Sequence, residues 1–185
     1  MDPLPAHSRH PASSRPSSAG AGHGRRAVRP THGRADGTAL GRAPPNACAL
    51  LTVDEIEPLA GNASVAEGVS NSIPASGYVA CRYMWGVGTG RFKLDVTVNE
   101  ASRMFPAMSP DQIKQRLLES VRAGTADAVI SEIGEAAVFK PDSPVYASAF
   151  ALVKGRILGC TSTERFAREK KDQVIGLLKS AASRL

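Results

Sequence analysis

Histidine is missing from residues 48–185 of this 185-residue chain, since all four (His7, His10, His23, His32) come earlier. That absence removes the commonest general base, the commonest transition-metal ligand and the side chain best placed to switch near neutral pH. Other absences narrow the reading further. No apolar run approaches the ~20 residues needed to span a bilayer. The N-terminus lacks the apolar stretch of roughly 7 to 15 residues that marks a secretory signal. No Cys-x-x-Cys pair, Gly-x-Ser-x-Gly or Ser-x-x-Lys occurs, so zinc, thioredoxin-type and serine-hydrolase chemistries lack their residues. No catalytic residue, cofactor or metal site is therefore expected.

What is present divides at residue 47. Residues 1–47 hold seven of the 13 prolines, six of the 17 glycines and seven arginines, but no aromatic residue, isoleucine or lysine. Such a segment cannot bury enough apolar surface to offset the entropy of ordering its backbone, and we expect it to be a disordered tail. Its seven arginines against Asp2 and Asp36 leave +5 there, so of the total of +6 only +1 belongs to the rest. The basic balance is thus a property of the tail. Arg25-Arg26 is its one arginine pair and no aromatic ring accompanies it for base stacking, so nucleic acid is not expected as a partner. Residues 48–185 suffice for a single domain with one core.

Local signals order that domain. Thr52 and Glu55 form a capping box, with Leu51 and Ile56 as its hydrophobic staple, and Pro58 shortens the helix they start. Residues 78–85 and 91–98 read as two strands. In the second, Phe92, Leu94, Val96 and Val98 alternate with Arg91, Lys93, Asp95 and Thr97, which gives one buried and one wet face. The Gly86-Val87-Gly88-Thr89-Gly90 connection makes them a hairpin, and because a strand rather than a helix follows it, it is not a phosphate loop. Ser109, Pro110 and Gln112 start a second helix with an Ile113, Leu117, Leu118, Val121 stripe, ended by Gly124. Strands are expected at 129–139, 145–153 and 156–162. A box of Thr161 and Glu164 then leads into a last helix, with Phe166, Val174, Leu177, Leu178, Ala181 and Leu185 on one face. Consecutive strands on short loops are antiparallel, so the fold class is α+β, an antiparallel sheet of about five strands flanked by helices.

Three cysteines permit a Cys48–Cys81, Cys48–Cys160 or Cys81–Cys160 bridge, or three reduced thiols. A thiol nucleophile would lack its usual histidine. Ligand-facing candidates are the polar residues of the hairpin: Arg82, Tyr83, Arg91, Lys93 and Asp95. The carboxylates available to an enzyme are Glu132, Glu135 and Asp127, and no catalytic motif accompanies them.

Cys48-Ala-Leu-Leu-Thr52 before an acidic helix, Cys81-Arg-Tyr, Ile133-Gly-Glu-Ala-Ala-Val-Phe139, a Lys-Gly-Arg turn and an Ala/Leu/Lys-rich last helix occur in that order. Over residues 46–185 this pattern resembles a large family of small exported bacterial proteins, many of them lipoproteins, of unknown function. The resemblance implies an α+β sandwich like that of photosynthetic PsbP, a location in the cell envelope or outside the cell, and a Cys48–Cys81 disulfide. It supplies no catalytic residue. Two features depart from it: the missing signal peptide and Pro58. We therefore expect residues 1 to about 45 not to be the native leader, and membrane association only through a lipid anchor. The expected function is a non-enzymatic envelope protein that binds a small ligand or a protein. The alternative makes the arginine-rich tail an interaction segment on an inert domain.

Overall fold

The computed structural model describes residues 45–61, 63–73, 76–86 and 91–185, with the backbone alone at Asp142. Most of the expected tail, and residues 87–90 of the glycine connection, lie outside the described residues. Those described belong to one compact unit. Asn46 and Ala47, grouped with the tail by composition, are part of it: Asn46 caps a 3-10 turn at Ala47–Ala49 and Ala47 is buried.

Helix starts follow the capping chemistry. The Thr52 hydroxyl accepts the Glu55 N–H while the Glu55 carboxylate accepts the Thr52 N–H, and α1 (Val53–Ile56) begins there. It runs a single turn, and Pro58, which has no N–H to give, lies two residues beyond its end. Ser109 and Gln112 close the second box, with Pro110 in the first helical turn of α3 (Pro110–Arg122). Gly124 follows at φ +70°, a conformation that costs glycine little.

The strands are β1 (Val69–Ile73), β2 (Tyr78–Trp85), β3 (Phe92–Glu100), β4 (Ala128–Ile130), β5 (Ala136–Ser143), β6 (Tyr146–Val153) and β7 (Arg156–Thr163). The remaining helices are α2 (Ala101–Met104) and α4 (Lys171–Arg184). All seven strands join one sheet in the order β1-β2-β3-β7-β6-β5-β4, and every pairing is antiparallel. The fold is α+β, but with seven strands rather than five. Two departures account for the difference. The uncharged Val-Ser-Asn-Ser-Ile of β1 has no expected counterpart, and the segment expected as one strand at 129–139 is broken where Glu132 and Gly134 adopt positive φ of 71° and 58°.

Register puts Val79, Cys81, Tyr83 and Trp85 opposite Val98, Val96, Leu94 and Phe92 on one face, and this face continues through Leu158 and Cys160 to Ala149 and Ala151. The N-terminal segment and α4 cover it, building the main core. The alanines of β6 leave room for α4 to lie close, with Val174, Leu177, Leu178 and Ala181 facing inward. On the other face α3 packs against β4 and β5, and α2 against β3 and β7, around a small second core of Ala101, Ile113, Leu152 and Ile157.

The last helix starts later than the sequence predicts. Thr161 belongs to β7, and the buried Glu164 is drawn into an ion pair at 2.5 Å from the half-buried Lys170 Nζ, while the Ser162 hydroxyl donates to its other oxygen. Thus engaged, the carboxylate does not cap, α4 begins at Lys171, and Phe166 is 61% exposed instead of packed on the helix face.

Candidate functional site

Helices α2 and α3 cover only part of their face of the sheet. Side chains alternate along a strand, so Tyr78, Ala80, Arg82 and Met84 of β2 share the uncovered part with Lys93, Asp95 and Thr97 of β3 and Thr161 and Thr163 of β7. A hollow of about 500 Å³ lies there, bounded by Val69 and Tyr78 on one side and Tyr146 and Thr161 on the other. Its floor carries a charge cluster. Arg82 Nε donates to Asp95 Oδ1 at 2.6 Å and Nη2 to Oδ2 at 3.3 Å, and Lys93 Nζ approaches Oδ2 at 3.1 Å. The hydrogen bond to Asp95 raises the Arg82 pKa further above its ordinary value. Two cations against one carboxylate leave the cluster with one net positive charge. Thr163 Oγ1, buried beside it, has no hydrogen-bond partner among the described groups.

Three of the five ligand-facing residues expected from sequence are therefore together: Arg82, Lys93 and Asp95. Arg91 is exposed just before β3. Tyr83 is not part of the site, because the neighbour of Arg82 in a strand must point to the opposite face. It is 2% exposed, its hydroxyl donates to the carbonyls of Leu51 at 2.8 Å and Cys48 at 3.2 Å, and burial raises its pKa. Tyr78, Tyr146 and Thr163 were missed. Strand parity relative to Arg82 is the signal that could have found Tyr78, whereas Tyr146 and Thr163 lie on β6 and β7 and are brought to this face only by the sheet order.

Comparison with protein-family models, curated proteins and solved structures finds no match to this chain.

The cysteines and the candidate carboxylates have other partners. The Cys48 and Cys81 sulfurs are 2.07 Å apart, at disulfide distance, and join the segment before α1 to β2. Cys160 is fully buried, and loss of solvation pushes its thiol up to about 12, far from the thiolate that nucleophilic chemistry needs. Glu135 accepts the Lys154 N–H at 2.9 Å and so caps the β6–β7 turn, while Glu132 pairs with Lys179 at 3.5 Å and Asp127 with Arg168 at 3.4 Å. Beside Glu135, a Cβ on Gly134 would stand 2.1 Å from the Leu152 carbonyl oxygen, and Ala136 and Ala137 are buried. Each position of the Gly-Glu-Ala-Ala run has a packing or turn role. Among the described residues no group of three His, Cys, Asp or Glu could hold a metal ion, and no helix is long and apolar enough to cross a membrane.

Proposed function

We propose that the folded unit is a non-enzymatic binding domain of the exported bacterial (lipo)protein type that its motifs resemble. It acts in the cell envelope or outside the cell and engages a small ligand or a protein through the bare face of β1, β2, β3 and β7. The observation that carries this reading is the mixed character of that face. Val69 and Ile73 are 66% and 54% exposed on it, Tyr78 and Tyr146 flank it, and the Arg82–Asp95–Lys93 cluster lies between. Aromatic and branched side chains around a few fixed charges are the composition of recognition surfaces. The cysteine pair supports an oxidising compartment. An antiparallel sheet with helices on both faces is compatible with a PsbP-like arrangement.

Cross-linking in the native host with the full chain, its Arg82→Glu/Lys93→Glu variant and a chain lacking residues 1–45 tests the reading. The double variant should lose the partner and the truncated chain should keep it. The reverse outcome would assign binding to the arginine-rich tail. Non-reducing intact mass of the fractionated protein reports its compartment, bridge and any lipid.

A further inference from the structure

A separate hollow lies on the same side of the sheet beneath α3. Ile113 is the one fully buried residue of this helix, and Leu117 is only half-buried although it faces the sheet. Between α3 and strands β3, β6 and β7 a cleft of about 270 Å³ remains, walled by Phe105, Ile113, Leu117, Phe150 and Ile157. Its floor is set by a close approach: a Cβ on Gly159 would stand 3.0 Å from Phe150 Cδ1, so glycine lets that ring lie down across β7. The space equals on the order of nine water molecules, at the small end of ligand pockets. The wall is mostly apolar, although Thr97, Asn99 and Ser120 also line it, so it offers water few hydrogen bonds and an apolar occupant is favoured.

Arg116 also lines this cleft. Its guanidinium lies 5.8 Å from the centroid of Phe105 and makes no ion pair among the described residues, although Asp111 and Glu119 line a neighbouring groove with it. A guanidinium held over a ring and not engaged in a pair presents a planar fork of donors suited to a carboxylate. We propose that the cleft binds a single-chain carboxylate amphiphile, with its chain beneath α3 and its head on Arg116. This site adjoins the bare face, sharing Thr97 with it, but does not depend on that reading.

Calorimetric titration of the full chain with octanoate below its micellar concentration tests it, with octanol and octyltrimethylammonium in parallel. Octanoate should bind saturably at one site with a negative heat-capacity change, and octyltrimethylammonium should bind at least tenfold more weakly. Arg116→Glu, at an exposed position, should weaken octanoate at least tenfold and leave octanol unchanged. Leu117→Trp, which narrows the cleft, should weaken both. Arg82→Glu on the bare face should change neither. Saturable binding that is absent, equally tight for the ammonium amphiphile, or indifferent to Arg116→Glu overturns the proposal.

Discussion

Removing the bridge by Cys48→Ala/Cys81→Ala should lower stability by an amount set by the chain it closes. Sequence separation is 33 residues, for which the loop-entropy relation gives about 3.7 kcal/mol at 25 °C. For a folded unit of this size, each kcal/mol moves the melting midpoint by roughly 3 °C, so a drop on the order of 10 °C is expected. The fold itself should persist. Leu50, Leu51 and Ile56 remain buried, and Tyr83 still donates to the Leu51 carbonyl, so the N-terminal segment keeps its place without the covalent tie. The assay is thermal unfolding followed by circular dichroism on three samples: oxidised wild type, wild type in reductant, and the double variant. The latter two should melt together, well below the first, because Cys160 is buried and enters no bridge. If all three melt within about 2 °C, the constraint on the unfolded chain is not the source of stability and the reasoning fails.

Acid sensitivity should involve Glu55, whose carboxyl is held at about 2 chiefly by hydrogen bonds from Arg184 at 2.7 and 2.9 Å. Its folded pKa lies below the ordinary 4.5, so its contribution is complete above 4.5 and disappears as pH falls toward 2. Being partly exposed, the carboxylate contributes about 1 kcal/mol, and Glu55→Gln should flatten that part of a urea-midpoint titration between pH 5 and pH 2 by this amount; an unchanged slope would show the contact to be idle. Gly134→Ala should cost about 3 kcal/mol or more by chemical denaturation, since the φ of 58° is strained for alanine and its methyl would meet the Leu152 carbonyl. A loss under 1 kcal/mol would contradict that geometry. Tyr83→Phe should cost about 1–2 kcal/mol in the same measurement, because two carbonyls lose their donor, and should leave any binding by the bare face intact.

Signals confined to a few residues were legible in the sequence. Both capping boxes at Thr52 and Ser109 stand as read, because each is decided by side chains three residues apart. The Thr161–Glu164 pair has the same spacing and fails. Its carboxylate has a better partner in Lys170, a competition invisible without tertiary structure. Alternation in β3 gave the correct wet face, and Lys93 and Asp95 followed from it, while Arg82 came from the neighbouring strand. Tyr83 was grouped with Arg82 by proximity in sequence, against the period-two rule that separates them. Strand β1 carries no apolar alternation to detect, since it is an edge strand fixed by backbone pairing to β2. The cleft at Arg116 also left no trace, because a helical stripe does not reveal how closely it approaches the sheet.

The order β1-β2-β3-β7-β6-β5-β4 has a kinetic consequence. Two local meanders, β1 to β3 and β4 to β7, meet only where β3 pairs with β7 over eight residues from Lys93↔Thr163 to Glu100↔Arg156. The centre of the sheet is thus its least local contact, and it waits for the strand synthesised last. Until then β3 presents an open hydrogen-bonding edge beside Leu94, Val96 and Val98. Folding should be slow for a domain of this size, and a nascent chain should remain unfolded and vulnerable to mispairing until Thr163 is available.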